Sequence, residues 1–160
     1  MSECDNKSVG VIITNSEDEI LLIQRARFPF GLAPPAGHVD DHGSLKKAAV
    51  EEVSEETDLV ISESKLVTKI ADRMVQNRCR RTGGSHHVWN VYSTDQYTGE
   101  LSAKLDEAKT AQWYSPAVIQ EIADYTQLHA TEAVHENSKV IEQVWLDFFI
   151  ELGIVQKLLQ

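Results

Sequence analysis

Gly37-His38-Val39-Asp40-Asp41-His42-Gly43-Ser44-Leu45-Lys46-Lys47-Ala48-Ala49-Val50-Glu51-Glu52-Val53-Ser54-Glu55-Glu56-Thr57-Asp58-Leu59 decides how the rest of this 160-residue chain is read. From Ser44 the pattern turns helical. Leu45, Ala48, Ala49 and Val53 recur at steps of three and four, laying one apolar stripe along a helix to Thr57, with Ser44 a suitable N-cap after Gly43. The same segment carries five acids and no base from Glu51 to Asp58. Glu52, Glu55 and Glu56 are related by steps of three and four, so their carboxylates converge on one face about a turn long. Like charges so placed destabilise a bare helix by roughly a few tenths of a kcal/mol per pair. A hard divalent cation with oxygen ligands would relieve that repulsion; the alternative is an acidic face turned to water.

Upstream, Val9-Gly10-Val11-Ile12-Ile13-Thr14 and Glu19-Ile20-Leu21-Leu22-Ile23-Gln24 read as strands joined by turn residues Asn15 to Asp18, which predicts a hairpin. Phe28 to Gly37 holds three of the four prolines and reads as an ordered loop leading into a short extended piece at His38-Val39. Downstream, strands are expected around Leu66 to Met74, His87 to Ser93 and Ala111 to Tyr114, with a polar loop from Gln76 to Ser85. Ser115-Pro116 starts a helix with proline at its first position. Val140, Val144, Phe148 and Leu152 predict a C-terminal helix within Ser138 to Leu159, available to pack on its own domain or on a second copy in a homodimer. The order is β-β-loop-α-β-β-β-α-α in a single domain spanning residues 1–160.

Composition bounds the function. Fifteen Lys and Arg against 25 Asp and Glu give a net charge of −10, which argues against general nucleic-acid binding and against an anionic membrane surface. A phosphorylated substrate is compatible, because cations can bridge two sets of negative groups. The first residues lack the basic start and apolar stretch of a signal peptide, and Val144 to Val155 is interrupted by Asp147 and Glu151, so a cytoplasmic protein is expected. Cys4 and Cys79 stand far apart with no ligand pattern around them, indicating neither a disulfide framework nor a zinc site.

The segment resembles the Nudix hydrolase family, whose box runs Gly, five residues, Glu, seven residues, Arg-Glu, an apolar residue, any residue, Glu-Glu, any residue, Gly and an apolar residue. Gly37 starts it, and Glu52, Val53, Glu55, Glu56 and Leu59 fall in register without a gap, so the box occupies residues 37–59. Pro35-Ala36-Gly37-His38-Val39, Ser44-Leu45, Ala48-Ala49-Val50, Asp106-Glu107-Ala108 and Gln112-Trp113-Tyr114-Ser115-Pro116 also look like that family. The resemblance implies an α/β (α+β) fold, an α/β/α sandwich with a mixed sheet and a loop-helix-loop motif. It also implies hydrolysis of a nucleoside diphosphate linked to another moiety, with Mg²⁺ or Mn²⁺ as cofactor. Glu52, Glu55 and Glu56 match the family's metal ligands, with the Gly37 carbonyl as a further one. Glu52 and Glu55 are the candidate catalytic residues, and Glu107 is the other option for the general base.

Three box positions depart. Gly43 stands where the first Glu belongs, and Asp40 or Asp41 shortly before it could partly replace the lost carboxylate. Glu51 stands in place of Arg, either raising the proton affinity of its neighbours by repulsion or facing solvent and pairing weakly with Lys47. Asp58 stands in place of Gly, the mildest change, because Asp tolerates a left-handed helix end. These departures raise a second reading, a catalytically impaired nucleotide-binding or regulatory module.

The arginines fall in two places: Arg25 and Arg27 after the second strand, and Arg73, Arg78, Arg80 and Arg81 in or beside the central loop. Guanidinium forks suit phosphate oxygens, so Arg25, Arg27, Arg78 and Arg80 are candidate substrate contacts, Arg25 foremost; the alternative is that they offset an acidic surface. His86-His87 invites a zinc reading that no Cys or carboxylate completes at suitable spacing. His38 could approach a phosphate or serve packing. Trp89, Tyr92, Trp113 and Trp145 read as core.

Overall fold

The computed structural model describes residues 3–40, 42–104, 108–129 and 139–159. Seven strands, β1 (Lys7–Ile13), β2 (Ile20–Arg25), β3 (Leu32–Ala33), β4 (Ala36–His38), β5 (Val67–Val75), β6 (His87–Thr94) and β7 (Ala108–Tyr114), alternate with helices α1 (Leu45–Thr57), α2 (Pro116–Leu128) and α3 (Gln143–Glu151). The strands form a four-stranded sheet, β4-β1-β6-β5, and a three-stranded sheet, β3-β2-β7. The larger sheet is mixed, because β1 runs parallel to β6 and antiparallel to β4.

Alternation along β1 and β2 assigns their side chains to two cores, one on each side of the sheets. Val9, Val11, Ile13 and Leu21 meet Ala48, Ala49 and Val53 of α1. Ile12, Ile20 and Leu22 meet Ile119 and Ala123 of α2 and Val144, Trp145, Phe148 and Phe149 of α3. The result is the expected α/β/α sandwich. Both strands are buried on both faces, as long apolar runs require.

Two expectations change. The hairpin does not form: Asn15 Oδ1 accepts from the Glu17 and Glu19 amides to make the turn, but β1 and β2 share one bridge, Thr14 to Ile20, and then enter different sheets. Each strand has better partners elsewhere, β1 pairing along all seven of its residues with β6 and β2 pairing along β7. The C-terminal helix is shorter than the apolar periodicity suggests. Residues 140–142 are held extended against β3, with the Leu32 amide donating to Val140 O at 2.7 Å and the Glu142 amide to Leu32 O at 3.0 Å, so α3 begins only at Gln143. Its apolar face packs on this chain's own sheet, with Trp145 and Phe149 fully buried. The proline loop holds two short strands, β3 and β4. Among the described residues no helix is long and apolar enough to cross a membrane.

Candidate active site

Helix α1 is placed by its stripe and its cap. Ser44 Oγ accepts the Lys47 amide at 3.1 Å, and Ala48, Ala49 and Val53 lock the apolar side into the core. That turns the acidic side toward β4. Glu56 is only 3% exposed, and its Oε1 accepts the Ala36 amide at 2.8 Å, tying helix to strand. Glu52 lies half-buried against Gly37, where any Cβ would overlap the Glu52 carboxylate, so a larger residue would force that carboxylate to move. Glu55, one turn on, is exposed. The donors offered here are hard oxygens, and the room at Gly37 brings its backbone beside the Glu52 carboxylate, so this wall fits Mg²⁺ or Mn²⁺ in ligand type.

The departures from the box have local explanations. Glu51 pairs with Nδ1 of His42 and, at 3.9 Å, with Lys47 Nζ, while His42 Nε2 is 3.5 Å from Glu52 Oε1. A ring nitrogen of His42 and carboxylate oxygens of Glu51 and Glu55 all lie within 4.8 Å of one another. A histidine from the preceding loop thus stands among the carboxylates, beside the Glu51 that occupies the box's arginine position. Gly43 has φ +98, a conformation in which a glutamate would be strained, so the backbone here suits glycine rather than the box's first Glu. Asp40 lines the same cleft as Glu52, with its carboxylate paired to Arg81 at 2.6 Å. Asp58 takes the left-handed cap position with φ 64 and pairs with Lys104 at 2.7 Å. Asp41, Asp106 and Glu107 lie outside the described residues.

A cleft of about 280 Å³ is lined by Arg25, Arg27, Arg78, Arg80 and Arg81 together with Gly37, Glu52 and Glu55. All four candidate arginines therefore reach one cavity. Arg25 is partly committed, its Nε donating to Pro29 O at 2.6 Å. Arg73 separates from the cluster; it grips Glu151 on the surface at 2.6 and 3.0 Å.

Glu142, which carries no motif in the sequence, also lines the cleft. Burial pushes its carboxyl up to about 7, against the pull of Arg25. A carboxyl that titrates near neutrality in a cleft is suited to accepting or donating a proton.

The cysteines and histidines do not stay apart as their spacing suggests. Cys4, His38, Cys79 and His87 converge at the cleft's other flank. Burial lowers both imidazoles; His38, which also feels Arg81, falls to about 4, so both are neutral near pH 7. His86 stays outside the group, with Nδ1 3.1 Å from Ser85 Oγ. Trp89, Tyr92 and Trp145 are core residues as expected, while Trp113 is partly exposed and stacks near Tyr97.

Solved structures share this fold. A MutT protein from Methanosarcina mazei Go1 matches with a TM-score of 0.64 and 18% identity, over 96% of this chain and 96% of its own. The NUDIX domain of Shewanella oneidensis NrtR, solved with ADP ribose, matches with a TM-score of 0.61 and 18% identity, over 96% and 87%. A bifunctional NMN adenylyltransferase/ADP ribose pyrophosphatase from Francisella tularensis, complexed with AMP and a Mn ion, matches with a TM-score of 0.61 and 19% identity, over 94% and 42%. A search of curated proteins finds no match. At these identities the structures establish the fold. The family model for the NUDIX domain matches residues 5–142, loop-helix-loop included, and the chain belongs to the Nudix family.

Proposed function

We propose that this chain, acting as one domain, is a metal-dependent hydrolase that cleaves the diphosphate linkage of a nucleoside diphosphate joined to another moiety. The observation that carries the reading is the shared cleft, which Gly37, Glu52 and Glu55 line together with Arg25, Arg27, Arg78 and Arg80. A diphosphate fits between a cation-holding wall and a guanidinium wall, which share the neutralisation of its charge. Glu52, Glu55 and Glu56, with the Gly37 carbonyl, would hold Mg²⁺ or Mn²⁺. When bound, the ion neutralises phosphate charge and lowers the proton affinity of water. Glu52 or Glu55 accepts the proton of the attacking water, and His42 keeps Glu51 and Glu52 oriented. The arginines hold the phosphates in line. The ADP ribose and the AMP with manganese seen in structural relatives support this substrate class.

The test is a panel of nucleotide-linked diphosphates with each divalent ion, scored by product identity. Glu52→Gln should lower kcat by on the order of 100-fold or more with the fold retained. Unchanged turnover in Glu52→Gln and Glu56→Gln would sink the assignment. A second reading, a nucleotide-binding module without turnover, is favoured by His42 and Glu51 replacing the box arginine. Calorimetry separates the two: a module binds nucleotide without needing metal and releases no product.

A further inference from the structure

Four side chains from four segments meet beside the cleft, and the diphosphate chemistry does not use them as a group. Cys4 precedes β1, His38 ends β4, Cys79 lies between β5 and β6, and His87 opens β6. One donor atom from each lies within 4.8 Å of all the others. The two sulfurs are 3.7 Å apart, and Cys4 Sγ is 3.2 Å from His87 Nε2. A tetrahedral zinc with Zn–S of about 2.3 Å and Zn–N of about 2.0–2.1 Å needs donors separated by roughly 3.8 Å between sulfurs and 3.6 Å between sulfur and nitrogen. Both separations are met within a few tenths of an ångström.

The surroundings favour ligation independently. His87 Nδ1 is 3.0 Å from Asn77 O. A carbonyl only accepts, so Nδ1 carries the proton and Nε2 presents its lone pair to the cysteines, the tautomer a metal requires. His38 Nε2 is buried and finds no hydrogen-bond partner among the described residues, a costly state that a metal bond would relieve. The Asn6 amide donates to Cys4 Sγ at 3.3 Å, a contact that stabilises a thiolate. The central loop is shaped around the second sulfur. Cys79 N–H donates to Gly84 O at 2.8 Å, Cys4 N–H donates to Thr82 O at 2.8 Å, and any Cβ at Gly84 would overlap Cys79 Sγ.

The geometry points to a structural zinc site of Cys₂His₂ type formed by Cys4, His38, Cys79 and His87, distinct from the carboxylate face of α1. Two thiolates and two imidazoles in a tetrahedral arrangement select zinc over the hard cations suited to glutamates. With four protein ligands the site leaves no position for substrate, so its work is to pin the N-terminal segment and the arginine loop to β4. A Cys4–Cys79 disulfide is the competing use of the sulfurs and leaves the orphaned His38 nitrogen unexplained.

The test uses the full chain, purified reduced and without a histidine tag. Elemental analysis should find one zinc per chain, retained in Glu52→Gln and lost in Cys79→Ser and His38→Ala. Replacement by Co²⁺ should give the intense visible bands of a tetrahedral site and a thiolate-to-cobalt charge-transfer band. Removing the metal with a chelator should lower Tm by about 5 °C or more. Because metal count and cobalt spectrum need no turnover, they stand whether or not the chain hydrolyses a diphosphate. The site is overturned if reduced wild-type protein binds no zinc and gives no charge-transfer band, if zinc is lost with Glu52→Gln while Cys79→Ser keeps it, or if iron or copper is retained instead. It is also overturned if the two cysteines form a disulfide in the presence of zinc. Should Cys79→Ser or His38→Ala fail to fold, the wild-type spectrum still decides.

Discussion

The cleft's two flanks meet at β4 and differ in chemistry. On one side Gly37 is packed against the Glu52 carboxylate, and hard oxygen donors dominate. On the other His38 packs edge-on to His87 at 5.3 Å between ring centroids, among sulfur and nitrogen donors. The two residues are neighbours in the chain, and strand alternation sends them opposite ways. A three-residue strand can therefore serve two donor environments without mixing them. The oxygen side is built on a helix held by one apolar stripe, the sulfur side on a loop tied by hydrogen bonds and an ion pair to the N-terminal segment, Asp40 and β6.

The comparison can be broken at either flank. The largest effect is expected from Gly37→Ala, whose Cβ must displace the Glu52 carboxylate; kcat should fall on the order of 100-fold with zinc content unchanged. Full activity in that variant would mean Glu52 is not where the chemistry needs it. The mirror experiment is Gly84→Ala, whose Cβ must push Cys79 Sγ aside. It should cost about 1–3 kcal/mol in denaturant unfolding, and an unchanged midpoint would show that the loop is not shaped around the sulfur.

Glu142 tests the ground between the flanks. Burial pushes its carboxyl from the ordinary 4.5 up to about 7 in the folded chain. The folded state therefore binds the proton more tightly, and this contribution to stability is complete below about pH 4.5 and lost as pH rises through about 7. Glu142→Gln should flatten the fall of Tm across that window and melt a few degrees above wild type at pH 8; parallel Tm curves would refute the shift. The smallest effect belongs to Asp58→Gly. Relieving the left-handed φ of 64 and removing an acid from a helix C-terminus should stabilise by about 0.5–1 kcal/mol, less whatever the exposed Lys104 pair contributes. A destabilised variant would mean that pair outweighs the strain.

Much of the fold was legible because it is written in local periods. The α1 stripe, the Ser44 cap, the two apolar runs and the proline at the start of α2 are each set by residues within a turn or two of one another. The hairpin was not legible, because strand partnership is decided by which neighbour buries more surface, and β6 and β7 lie far along the chain. The length of α3 was misread for a related reason: residues 140–142 continue its apolar pattern but are held extended by Leu32. Within the cleft, the carboxylates announced themselves by spacing, whereas His42 and Glu142 carry no pattern and acquire meaning only from what faces them.

By itself the sequence determined the acidic face of α1, the glycine that makes room for it and the family to which the chain belongs. These depend on helical spacing and on a Cβ that is absent, both properties of neighbouring residues. The tertiary fold was needed to show that four arginines share a cavity with Glu52 and Glu55, that His42 pairs with Glu51 beside Glu52, and that Cys4, His38, Cys79 and His87 meet. The physical reason is separation along the chain. Cys4 and His87 are 83 residues apart, and a contact across that distance is set by sheet pairing and core packing, which no local period records.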